Sequence, residues 1–141
     1  MAIEPTRFRF QRLEVWQEGR QLYRMVSRIV RKFPREELFG LTSQMRRSAR
    51  SVCANLAEGS GRNSDRDVAQ FVEIAYGFAA EVASDGFLAL DEGYVSEAEL
   101  EQLLAQVETV VSKASGLYRK LHSAVPSGAP RSAIRSPRSA S

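Results

Sequence analysis

Seven arginines define the chemistry most open to this chain. Arg20, Arg24, Arg28 and Arg31 recur at steps of four, four and three, and Arg46, Arg47 and Arg50 fall within little more than one helical turn. On an α-helix the first set draws a basic stripe about 16 Å long, at 1.5 Å rise per residue. In the second set Arg46 and Arg50 share a face, with Arg47 beside them. A guanidinium presents a planar fork of donors that matches phosphate, and a regular cationic row is the footprint of a protein that follows a nucleic-acid backbone. Like charges at i,i+4 repel by roughly a few tenths of a kcal/mol, so an anionic partner relieves a small cost. The plainer alternatives are a solvated helix face, or pairing of Arg46, Arg47 and Arg50 with Glu73 or Glu81 on a neighbouring helix.

An eighth arginine, Arg62, ends the run Gly59-Ser60-Gly61-Arg62 just before a helix start at Ser64. Such a loop can present backbone amides and a guanidinium to an anion. It lacks the Gly-Lys-Ser/Thr of a phosphate-cradling loop. Its glycines can instead simply turn the chain, leaving Asn55 and Glu58 to hydrogen-bond across a helix interface. Other chemistries find little to work with. Cys53 is the sole cysteine and His122 the sole histidine, so there is neither an intramolecular disulfide nor a thiolate or His-based metal site to build. No histidine stands near a nucleophile. The expectation is a non-enzymatic binding protein without a cofactor.

The elements that must position these arginines read as four helices. Leu13 to Phe33 carries Trp16, Tyr23, Val26, Ile29, Val30 and Phe33 at helical spacing and stops before Pro34. Thr42 to Glu58 places Met45, Ala49, Val52 and Leu56 on one stripe, with Gly59 and Gly61 as its stop. Ser64-Asp65-Arg66-Asp67 approximates a capping box for a third helix reaching Leu90, and Ser96-Glu97-Ala98-Glu99 opens a fourth, whose stripe runs from Leu100 to Leu121. Gly77, inside the third helix, costs about 1 kcal/mol against alanine and so suggests close approach of another backbone. Nothing reads as a strand, and the connections are short. The fold expected is all-α, an antiparallel up-down-up-down four-helix bundle over residues 13–122, with an N-terminal arm at 1–12.

Charge is unevenly spread. Residues 1–62 carry +7, residues 63–122 carry −7, and residues 123–141 carry +3 with no acid, for a net +3. The last stretch is rich in Ser, Pro, Ala and Arg and reads as a disordered basic tail. Opposite halves suit either self-association or one basic face for an anionic partner. No apolar run approaches the roughly 20 residues needed to cross a bilayer. Met1 to Arg12 has three arginines and no apolar core of a secretory signal, so a cytoplasmic protein is expected.

The stretch from Phe39 to Ser48, followed by Asn55-Leu56-Ala57-Glu58-Gly59-Ser60-Gly61-Arg62 and preceded by Leu13-Glu14-Val15-Trp16-Gln17, resembles the four-helix-bundle family named after 23S rRNA intervening sequences. The resemblance spans roughly Phe8 to Leu121. It implies a ring-like homopentamer. It also implies likeness to the accessory variability determinant of diversity-generating retroelements, a basic pentameric barrel that binds nucleic acid and a reverse transcriptase. Expected partners are thus a second copy of the chain, RNA or DNA, and a nucleic-acid enzyme such as a reverse transcriptase. The alternative is a self-assembling scaffold that binds no nucleic acid. Cys53-Ala54 stands where the family commonly carries a proline, so the usual kink is not expected, and Asp85-Gly86 replaces a more apolar pair, which would reshape contact between subunits.

Overall fold

The computed structural model describes residues 7–123. The expected tail from 124 onwards and the first half of the N-terminal arm lie outside the described residues. Four helices carry the fold: α1 (Glu14–Val30), α2 (Leu41–Ser60), α3 (Asp65–Asp91) and α4 (Glu97–Ser123). Two 3-10 turns, Arg9–Arg12 and Arg35–Glu37, precede α1 and α2, and no strand occurs among the described residues. Backbone approaches link α1 to α2, α2 to α3, α3 to α4 and α4 back to α1, while the backbones of the diagonal helices stay further apart. Each helix is a corner, and the core runs down the middle. That cycle, with short connections, is compatible with an up-down-up-down bundle.

The apolar stripes drive this arrangement. Leu22 and Val26 from α1, Met45, Val52 and Leu56 from α2, Val72 and Val82 from α3, and Leu103 and Val110 from α4 are all fully buried. Burying each such side chain contributes about 1.5–3 kcal/mol relative to leaving it in water. Phe33 and Tyr94 close one end, with ring centroids 5.2 Å apart.

Helix starts follow local chemistry. Ser96 and Glu99 form a complete capping box: Glu99 N donates to Ser96 Oγ at 3.1 Å and Ser96 N to Glu99 Oε1 at 2.9 Å. At α3 only half of that pattern forms, with Asp67 N donating to Ser64 Oγ at 3.2 Å. The start of α2 uses an upstream residue. Glu37 Oε1 accepts from Leu41 N at 3.1 Å, while Glu37 Oε2 accepts from the Tyr94 hydroxyl at 2.8 Å. One carboxylate thereby caps α2 and ties it to the α3–α4 turn.

Several expectations need adjusting. The first helix ends at Val30, and Arg31–Phe33 form a turn whose amides at Lys32 and Phe33 reach back to Ile29 and Val30. Gly59 lies inside α2 and does not stop it: a Cβ there would stand 2.6 Å from Phe71 Cβ, so glycine lets α2 and α3 approach closely. Gly86 serves contact within the chain, because a Cβ there would meet Leu100 and Leu103 of α4 at 2.9 and 3.0 Å. The residue that does need a left-handed backbone is Gly93, at φ +77°, in the α3–α4 turn. As expected, α2 runs unbroken through Cys53 and Ala54.

Candidate nucleic-acid interface

All eight arginines are exposed. On α1, residues 20, 24 and 28 lie opposite the buried row of Val15, Gly19, Leu22, Val26 and Ile29, and Arg31 continues them just past the helix end. Gly19 packs against α2, where a Cβ would meet Val52 at 3.1 Å and Cys53 Sγ at 3.3 Å. Arg46, Arg50 and Cys53 follow one another at steps of four and three, so both arginines occupy the side of α2 that turns towards α1. Arg20 stands close enough to Cys53 for its charge to act on the thiol. The α1–α2 seam therefore has Arg20 on one side and Arg46 and Arg50 on the other, with Arg24 and Arg31 continuing the exposed face of α1. Arg47 points further outward. Arg28 does not join the seam; it lines a small pocket on the α4 side with Met25, Ile29, Lys32, Glu99 and Gln102.

None of the seven arginines of α1 and α2 lies within ion-pair distance of a carboxylate among the described residues. Arg20 sits over the Trp16 ring at 5.8 Å, and Arg24 donates a long 3.5 Å hydrogen bond to Gln21 Oε1. The expected alternative partners, Glu73 and Glu81, line a groove on α3 instead. Two lysines do pair: Lys113 of α4 with Glu14 at 2.9 Å, and Lys32, in the turn after α1, with Glu99. Between Arg20 and Ala57 the chain carries nine Lys and Arg against two acids, Glu36 and Glu37. Glu37 is held by Leu41 N and Tyr94, and its charge helps push the Tyr94 hydroxyl up to about 12, the hydrogen bond between them being the larger cause. The seam is therefore positive with almost nothing local to neutralise it.

Residues 11–116 match the family described as 23S rRNA-intervening sequence protein. The chain belongs to that family. The 23S rRNA-intervening sequence region takes in α1, α2, α3 and most of α4, and every one of the eight arginines falls inside it. The chain matches no curated protein. The family description mentions rRNA and states no activity, so the chemistry rests on the residues.

Arg62 differs from the other seven. It pairs with Glu58 at 2.9 Å and lies over the Phe71 ring at 4.7 Å, which anchors the α2–α3 turn. Asn55 donates to Ser51 O within α2 at 2.8 Å, so neither Asn55 nor Glu58 bridges helices as expected. A basic residue that sequence reasoning left in the arm is Arg9, whose guanidinium donates to Ser60 O at 3.2 Å and docks the first turn on the end of α2. The aromatic pair Phe10 and Trp16, 4.8 Å apart, was the available signal.

The site offers no activated nucleophile. Burial pushes the half-buried Cys53 thiol up to about 11, against a smaller opposing pull from Arg20. A neutral thiol is a poor nucleophile and a poor metal ligand. His122 packs against Tyr118, with ring centroids 4.1 Å apart. Among the described residues no group of three or more His, Cys, Asp or Glu side chains could hold a metal, and no helix is long and apolar enough to cross a membrane.

Proposed function

We propose that this member of the 23S rRNA-intervening sequence family is a non-enzymatic, antiparallel up-down-up-down bundle that assembles with copies of itself, as a homopentamer, in the cytoplasm. It binds RNA or DNA through phosphate contacts from Arg20, Arg24, Arg28, Arg31, Arg46, Arg47 and Arg50, with Arg62 at the margin. The observation that carries the reading is the set of seven exposed arginines with no carboxylate in reach among the described residues. Exposed ion pairs are worth only about 0–1 kcal/mol, so leaving them unmade costs the fold little. Phosphate contacts position a protein without reading bases, which makes binding salt-sensitive and weakly sequence-selective. A nucleic-acid enzyme such as a reverse transcriptase is the proposed protein partner, and genes neighbouring this one test that part.

The second reading is a self-assembling scaffold without nucleic acid, favoured by the open apolar groove on α3. Two measurements on the full chain separate the readings. Light scattering is expected near five times the 15.7 kDa subunit mass. Fluorescence anisotropy with labelled single-stranded RNA and duplex DNA at low salt is expected to show binding to both. Assembly without binding would favour the scaffold.

A further inference from the structure

Two features of this bundle lack a counterpart among the described residues. Phe39, in the turn between α1 and α2, is 93% exposed, and its neighbour Leu38 is half exposed. Together they place two adjacent apolar side chains in solvent on one turn. On α3, Gln70, Glu73, Ile74, Gly77, Phe78 and Glu81 line an open groove of about 380 Å³. A Cβ built at Gly77 meets nothing within 4 Å. Mid-helix glycine is disfavoured, and at this position no contact with the described residues calls for it.

The groove extends beyond its own walls. Ile74, Gly77, Glu81, Ser84 and Leu88 succeed one another at steps of three and four, so they share one outward line of α3. Ile74 and Leu88 are 45% and 50% exposed. The surroundings are opposite in charge. From Asp67 to Asp91 there is no Lys or Arg and there are five acids, whereas residues 31–50 carry six Lys and Arg against two acids.

We propose that Phe39 of one subunit seats in the Gly77 groove of the next, a head-to-tail contact between copies of this chain. The inference rests on the self-assembly reading and gives it an interface. An aromatic side chain buries about 150–250 Å², and glycine leaves room for the ring against bare backbone. The basic flank of the α1–α2 turn then lies by Glu73 and Glu81. As a head-to-tail contact its repetition closes a ring or grows a filament. Reciprocal seating of both knobs about a two-fold axis would stop at a dimer, so a two-chain wild type would overturn the head-to-tail polarity.

Phe39→Ala and Gly77→Leu test this in the full-length protein, with circular dichroism as the folding control. Phe39 is exposed and a Cβ at Gly77 meets open space among the described residues, so both variants are expected to keep wild-type helicity. Light scattering is expected to show each variant alone falling to subunit mass. An equimolar mixture is expected to give a two-chain species, because one partner keeps its groove and the other its knob. If wild type assembles and both folded variants retain its mass, the knob-and-groove contact is wrong while self-assembly stands. If both variants fall apart but their mixture stays at subunit mass, the head-to-tail polarity is wrong. A wild type that is itself a single chain overturns self-assembly and this contact together.

Discussion

The outer faces of α1–α2 and of α3 are built on one core and carry opposite surfaces. On the first, arginines stand at helical spacing with apolar residues confined to the inner stripe; on the second, acids surround a shallow apolar groove. Among the described residues the seven arginines of the first meet no carboxylate, and Glu73 and Glu81 line the groove of the second. Had those charges been placed to stabilise a single subunit, they would meet.

Charge reversal breaks or sharpens that contrast most strongly. Replacing Arg24, Arg28, Arg46, Arg47 and Arg50 with Glu is expected to cut nucleic-acid affinity by on the order of a hundredfold or more, with helicity retained. Reversing Glu73 and Glu81 to Lys is expected to spare that affinity. Equal loss from both sets would mean that the two faces act as one surface. Titrations with labelled RNA, alongside circular dichroism, read both.

Glycine substitutions give the next largest effect. Gly59→Ala forces a methyl towards Phe71 Cβ, 2.6 Å away, and is expected to cost about 1–3 kcal/mol by overpacking. Gly77→Ala adds a methyl to open space and is expected to stabilise a single subunit by up to about 1 kcal/mol. Urea unfolding at dilute protein distinguishes them. Loss of stability at Gly77 under those conditions would show that α3's outer face is already packed within the chain.

The smallest effect concerns Asp85, whose carboxyl is raised above its ordinary value first by burial and then by the charge of Glu81. A folded-state value raised above the unfolded one gives stability that is fully present below the unfolded value and lost as pH rises through the folded value. At neutral pH the carboxylate is therefore a liability. Asp85→Asn is expected to raise Tm at pH 7 by about 1–2 °C, the size that a small fraction of a kcal/mol gives in a domain of this length. The difference should vanish near pH 3, and thermal melts across that range check it.

Much of the fold was legible because α-helical burial repeats every three to four residues: the stripes at Met45–Val52–Leu56 and Leu100–Leu103–Val107–Val110 are buried as spaced. Features depending on distant residues were not legible. Gly59 looked like a stop because glycine often ends helices, and only the position of Phe71 shows that it admits a neighbour. Glu37 caps α2 from four residues upstream while bonded to Tyr94, a pairing across 57 residues that no local pattern encodes. At the candidate site, spacing placed the arginines on exposed faces. It could not tell that Arg62 is taken up by Glu58 and Phe71, or that Arg28 turns towards α4.

The most direct test of the unpaired arginine face is the salt dependence of wild-type binding. If these arginines neutralise phosphates, log affinity is expected to fall linearly with log salt, with a slope of about −0.9 per contact on duplex DNA and about −0.7 on single strands. Several contacts per subunit predict a steep line, flattened in the charge-reversed protein. Affinity that is absent at low salt, or independent of salt, would contradict a phosphate-binding role for this face.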